Sequence, residues 1–365
     1  MLTSLLLLLA QAVSPQTPPI AASASPTAPA TTWPARDAQY RIRDFRFRSG
    51  ETLPELRINY TMLGQPHRNA RGEIDNAVMV LHGTGGTGRQ FLAPQFANEL
   101  YGPGQPLDIK RYWIILPDGI GHGKSTKPSD GLRMRFPQYD YDDMVDAQYR
   151  LLKDGLKIAR MRLIMGTSMG CMHGLVWGET HPEFMRALMP LACEPVEIAG
   201  VNRMWRQLAI DGIEADPAWA GGDYRAPPLL GLRTAASLLF IAGAAPLYFQ
   251  QQYPTRATAE TFARQRVAAS IAQTDANDLI YQINASRSYS PWARLEAITA
   301  PTMWINSADD FINPRNLPFP QQAVARMKDA SFRLIPETEE TRGHGTHTAA
   351  RFWKQDLAAL LKRTE

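Results

Sequence analysis

The sequence predicts an α/β fold, a mostly parallel sheet with flanking helices and a helical insertion, and three observations carry the prediction. Short apolar runs recur at 78–81, 113–116, 163–165, 187–191 and 303–305, each ending in Gly, Ser, Asp or Pro. Helix-length segments separate most of them, as strands covered on both faces by crossover helices require. From Glu194 to about Ala297 the strand signal lapses, and only helical patterning broken by "DPAWAGGDYRAPP" and "QYPTR" remains. With 44% hydrophobic residues in 365 positions, there is enough apolar material for one large core.

Residues 1–32 contain no Asp, Glu, Lys or Arg. The apolar run 5–10 is too short to cross a bilayer. It leads into Ala10-Gln11-Ala12, a small-residue cleavage pattern, with Ala22-Ser23-Ala24 as a second cut. Residues 1–36 therefore read as a signal peptide and a Pro-, Ala-, Ser- and Thr-rich linker, which implies an exported, periplasmic or extracellular protein; the competing reading is a disordered tail. Folded structure is expected from about Asp37. Tyr40, Ile42, Phe45 and Phe47, then Leu56, Ile58 and Tyr60, alternate with polar residues across the turn "RSGETLP", the pattern of half-buried antiparallel strands.

The core is thus expected over 37–193 and 298–365, with a helical cap over 194–297. A crossover helix over 143–158 places Met144, Ala147, Leu151 and Leu152 on one face, with Asp142 or Asp143 near its start for capping. Cap helices are expected over 234–242 and 257–273, and a final helix over 348–363. Net charge is +4, with the Lys and Arg dispersed, so the chain carries no nucleic-acid footprint. Two cysteines, Cys171 and Cys193, are too few for a disulfide scaffold or a thiolate zinc site. They read as small buried side chains, with a bridge left open for an oxidising compartment.

The chemistry centres on Gly166-Thr167-Ser168-Met169-Gly170, a G-x-S-x-G between an apolar run and a helical pattern. That is the signature of a nucleophile elbow, whose turn is too tight for side chains beside the Ser. A nucleophilic Ser needs a base and the base a carboxylate, which α/β-hydrolases supply in the order Ser, Asp, His. "INSADDFINP" and "RGHGTHT" both follow late apolar runs, where such sheets place their sites. Asp310 is the expected carboxylate, with Asp309 as the alternative, and His344 the expected base, with His347 as the alternative.

Gly83, Gly85 and Gly88 in "LHGTGGTGRQF" match the dinucleotide spacing G-x-G-x-x-G. That fingerprint needs an acidic residue at the end of the next strand, about 20 positions on. Here the next run ends more than thirty residues after Gly83, and Glu99 and Asp108 precede it. The loop reads instead as an oxyanion-hole loop, with the Thr84 and Met169 N–H groups binding the charge of a tetrahedral intermediate. "DGIGHGKST" imitates a phosphate-binding loop, but Asp118 stands where that pattern needs Gly. No cofactor and no metal are required.

With Ser168, Asp310 and His344 placed, the chain resembles α/β-hydrolases, and among them the homoserine O-acetyltransferase family, over nearly all of residues 48–360. The resemblance is carried by "SGETLPELRINYTMLG", "YGPGQPLDIKRYWII", "GTSMG", "ADPAWAGGDY" followed by "GLRTA", "DANDLIYQI" and "GHGTHT". It implies acyl transfer through an acyl-serine under a helical cap, with those three residues in the same roles, and a homodimer joined through the cap. Two positions depart. Ala236 stands where the family carries an Arg for the homoserine carboxylate, with Arg233 nearby. Gly345 stands where it carries an Asp for the amine. Losing both ionic contacts removes several kcal/mol of binding to an amino-acid acceptor, and export separates the enzyme from acetyl-CoA. The sequence therefore predicts a serine hydrolase of a small-molecule ester or other acyl bond, without stable membrane insertion. The alternatives are an O-acetyltransferase using acetyl-CoA and a non-catalytic binding protein. Trp205, Trp219, Tyr224, Phe240 and Tyr281 are candidates for pocket or core, and His122 and His173 for structural histidines.

Overall fold

Alternation decides the first two strands. In the computed structural model, which describes residues 32–365, β1 (Arg36–Arg46) and β2 (Thr52–Leu63) pair antiparallel, with Ile42 opposite Leu56 and Phe45 opposite Leu53. All four side chains are buried. The signal peptide and nearly all of the linker expected over 1–36 lie outside the described residues. Order begins earlier than Asp37, because the Trp33 indole packs edge-on against Tyr101 and donates to Asn98 Oδ1 at 3.2 Å.

The continuous apolar runs become β3 (Ala77–Leu81), β4 (Trp113–Pro117), β5 (Leu163–Thr167) and β6 (Leu188–Leu191), in which every residue is buried. β7 (Thr302–Ser307) and β8 (Ala330–Ile335) complete one sheet of order β1-β2-β4-β3-β5-β6-β7-β8. β2 meets β4 antiparallel, and the pairings from β4 to β8 are parallel. The two-residue period of a strand divides β3 between two cores. Ala77, Met79 and Leu81 join one face, Val78 and Val80 the other.

Helices α1 (Pro94–Leu100), α2 (Tyr141–Arg150) and α3 (Met169–Thr180) cover the sheet. After β6 come the cap helices α4 (Gly200–Glu214), α5 (Leu229–Ala242), α6 (Pro246–Gln252), α7 (Arg256–Ile271) and α8 (Ala276–Asn284). The sheet resumes with β7, followed by α9 (Phe319–Val324) and α10 (Lys354–Arg363). Among the described residues no single helix is long and apolar enough to cross a membrane; α5 and α6 pass that test only together, bent by 103°.

Four expectations are corrected. α2 starts at Tyr141 because Asp140, not Asp142 or Asp143, is its N-cap. The Asp140 carboxylate accepts from Asp143 N, and the Asp143 carboxylate accepts from Asp140 N, a reciprocal capping box. The helix then widens into a π turn over 151–155 instead of running on to 158. α5 begins at Leu229 because Asp216, from a distant turn, accepts from Leu230 N and Gly231 N and satisfies the free end of that helix. The last helix starts at Lys354, since residues 343–348 are a tight turn that carries His344, and the Trp353 indole donates back to His347 O. Finally, Cys171 and Cys193 are not two separate thiols: they form a disulfide from the first turn of α3 to the residue pair beyond β6.

Candidate active site

Sequence-distant residues reach one place because β5, β7 and β8 all end at the same sheet edge. Ser168 follows β5 directly, with φ 55° and ψ −113°, a conformation an L residue holds only when its surroundings enforce it. The enforcement is visible in its flanking glycines. A Cβ on Gly166 would come within 2.1 Å of Gly170 O, and one on Gly170 within 2.1 Å of Leu81 O. The backbone is anchored by Ser168 N, which donates to Leu191 O at 2.8 Å.

His344 Nε2 lies 2.8 Å from Ser168 Oγ, and His344 Nδ1 lies 2.8 Å from Asp310 Oδ2. With the proton on Nδ1 donated to the carboxylate, Nε2 is free to accept from the hydroxyl. Burial alone would raise the Asp310 pKa. The charge and hydrogen bond of His344, with further bonds from Asn313 Nδ2 at 2.8 Å and Ile312 N at 2.8 Å, outweigh it and hold the acid below its usual range. Asp310 thus stays ionised while shielded from water, which fixes the imidazole tautomer and favours an imidazolium as it forms.

The two alternatives have other work. Asp309 accepts from Gly343 N at 2.8 Å and from the Ser307 hydroxyl, so it fastens the loop that carries His344. His347 packs edge-on against His344, with 4.7 Å between ring centroids. Burial, followed by the His344 charge, pulls its pKa down to about 3, so it is a neutral wall.

The glycine loop lies against the nucleophile. A Cβ on Gly83 would sit 3.3 Å from Ser168 Cβ, and Gly85 adopts φ +72°. Its far end is tied down by Asp118, which accepts from Gly88 N at 2.9 Å and from Lys124 N at 3.0 Å. The residue that spoiled the phosphate-loop pattern is therefore the clamp between two active-site loops. Thr84 follows Gly83, and Met169 opens α3, where an N–H has no intrahelical acceptor. These are the two amides to which the oxyanion reading assigns the developing charge.

Several contributors carry no sequence signal. Glu194 is half-buried with Oε1 3.4 Å from Asn306 Nδ2; partial burial, then the Asp310 charge, raises its pKa to about 8. Gln282 of the cap donates to Gly121 O at 2.7 Å and so docks α8 onto the loop over the sheet. His82, His122 and His173 are driven neutral by burial, His173 to about 3. Among the cap aromatics, Tyr281 stacks on Tyr139 and Trp219 donates to Asn277 Oδ1 at 2.9 Å, so both are structural. Arg233 is exposed on α5 and Ala236 is buried. No cluster of three His, Cys, Asp or Glu suited to a metal occurs among the described residues.

Comparison with known proteins agrees with this architecture. The model of the alpha/beta hydrolase fold matches residues 76–349. A probable acyltransferase of Methanothermobacter thermautotrophicus is 29% identical over 76% of this chain and 84% of its own length. The homoserine O-acetyltransferase of Moorella thermoacetica is 35% identical, over 52% of this chain and 54% of its own. The match therefore spans about half of that relative. Among solved structures, homoserine O-acetyltransferase from Bacillus anthracis superposes with a TM-score of 0.79 at 21% identity, covering 90% of this chain and 98% of that one. Esterase E22 superposes with a TM-score of 0.78 at 18% identity, covering 90% and 100%.

Proposed function

The chain belongs to the alpha/beta hydrolase fold family, and from that premise we propose that it is a serine-dependent acyl hydrolase cleaving an ester or other acyl bond of a small molecule. The observation that carries this reading is the unbroken chain Ser168–His344–Asp310, at 2.8 Å for each link. Ser168 Oγ attacks the acyl carbon while His344 Nε2 takes its proton, and the Thr84 and Met169 amides hold the oxyanion. His344 returns the proton to the leaving alkoxide, leaving an acyl-serine. Water, deprotonated by the same imidazole, then releases the acid.

An O-acetyltransferase is the second reading, favoured by the names of the relatives. Against it stand Ala236 and Gly345, at positions where an amino-acid acceptor would meet ionic partners. Export also favours water as acceptor. The uncharged leader with its small-residue cleavage pattern supports export, and so does the Cys171–Cys193 bridge, a feature of oxidising compartments. A homodimer through the cap is supported by Val201, Met204 and Leu208, which leave an apolar stripe exposed on α4; its test is the mass in solution by light scattering. Ser168→Ala should lower p-nitrophenyl acetate turnover by at least about 10³-fold with the circular dichroism spectrum unchanged. Undiminished turnover would refute the reading. Homoserine-dependent consumption of acetyl-CoA, measured alongside, would transfer it to the alternative.

A further inference from the structure

The cap holds a buried cation that the acyl chemistry does not use. Arg206, in the second turn of α4, is 2% exposed. Its Nε donates to Asn202 Oδ1 at 2.9 Å and its guanidinium lies over the Trp205 ring, 4.6 Å from the centroid, but its Nη1 has no partner. One turn earlier, Arg203 donates Nη2 to Gln207 Oε1 at 2.9 Å and also leaves a buried Nη1 unpaired. The charged and polar groups that act on Arg206 are the Tyr141 phenol and Arg203, with no carboxylate among them. A buried guanidinium without a counter-ion is costly, and a second cation at close range makes it more so.

The place of this cation gives it a purpose. The Tyr141 phenol feels the Arg206 charge and has the Ser286 and Thr84 hydroxyls beside it. Both Tyr141 Oη and Thr84 Oγ1 are buried without a hydrogen bond. Thr84 adjoins Gly83, whose Cβ position is 3.3 Å from Ser168 Cβ. Four buried polar atoms, Thr84 Oγ1, Tyr141 Oη, Arg203 Nη1 and Arg206 Nη1, are thus left without a well-formed hydrogen bond.

We infer that Arg206, with Tyr141 and Arg203, binds a carboxylate carried by the substrate a few bonds from the acyl carbon attacked by Ser168. The preferred substrates are then monoanionic esters, such as half-esters of short dicarboxylic acids. A planar guanidinium with a free N–H suits a carboxylate in the low dielectric beneath the cap, where charge-assisted hydrogen bonds are strongest. The inference names the substrate class of the site proposed above and so rests on that reading. It assigns the carboxylate to α4, a different element from α5, which carries Ala236.

The test separates the two claims. Succinate should raise the melting temperature of the Ser168→Ala protein, and the shift should vanish when Arg206→Met is added and persist in part with Arg206→Lys. In the active enzyme, the ratio of kcat/KM for monomethyl succinate over dimethyl succinate should exceed one. That ratio should fall about tenfold or more in Arg206→Met, a loss of about 1.4 kcal/mol. Arg206→Met removes an unpaired buried charge, so a folded protein is expected. If it does not fold, Arg206→Lys, which keeps the charge but loses the fork, reads the same ratio. An equal succinate shift with and without Arg206, or a ratio that Arg206 substitution leaves unchanged, overturns the inference. A succinate shift in a protein that cleaves neither ester supports the anion site while the hydrolase reading fails.

Discussion

The sheet and the cap are built to different standards. β3, β4, β5 and β6 bury every residue, whereas α6 and α7 bury none. Of nine large apolar side chains left exposed among the described residues, seven lie on α4, α5 and α6. The outer cap is held largely by an aromatic cluster of its own, in which Phe262 meets Phe240, Phe249 and Tyr253. Reacting groups that must meet to within a hydrogen bond sit on the rigid side, because misplacement there costs orders of magnitude in rate. The carboxylate site proposed above lies on the cap.

The largest expected effect belongs to the rigid side. Asp310→Asn should keep the fold, since Asn retains an acceptor for Ile312 N, yet lower kcat by about 10⁴ because the wrong imidazole tautomer is held. Steady-state ester hydrolysis measures it, and a loss below tenfold would mean that the geometry of this side is not what drives turnover. On the cap, Phe262→Ala should cost about 1–1.5 kcal/mol in aromatic packing beyond the lost area. Hydrogen exchange should quicken in α7 while β5 stays protected; simultaneous loss in both would show that the two regions open together. His347→Phe should change turnover by less than about tenfold, because the ring acts as a neutral wall and not as a base. Assays across pH test this, and complete inactivity would restore His347 as the base.

Glu194→Gln should leave turnover near the parent's and give the most pH-dependent stability effect. The folded pKa of about 8 exceeds that of an exposed carboxyl, so the native state binds a proton that the unfolded chain has already released. Native stability from this group is therefore lost as pH rises from about 4.5 toward 8, and the Gln variant escapes that loss. Its melting temperature relative to the parent should climb across this window. A flat difference would place Glu194 ionised beside Asp310.

Legibility followed the range of each interaction. The elbow was readable from its spacing: the Gly166 constraint is local, a 2.1 Å contact inside the five-residue turn, whereas the Gly170 constraint, 2.1 Å from Leu81 O of the neighbouring β3, appears only in the fold. Asp310 and His344 were readable from chain order and strand ends. The sequence favoured Asp310 over Asp309, and the fold shows why both are needed: Asp310 meets the imidazole while Asp309 accepts from Gly343 N. Asp140 and Asp216 were missed as caps for a related reason: one lies two residues before the acidic pair in view, the other about a dozen residues before the helix it caps. The pairing of Cys171 with Cys193 depended on how α3 leaves β5 beside β6, which spacing alone does not state.

By itself, then, the sequence determined which residue types could react, where the strands run and that helices interrupt them, because periodicity and tight turns are properties of neighbours along the chain. Only the tertiary structure decided what Asp309 and His347 do instead, whether the two cysteines join and which arginine is left buried without a counter-ion. Those outcomes depend on burial and on distances between segments far apart in the chain, and neither exists until the sheet has closed.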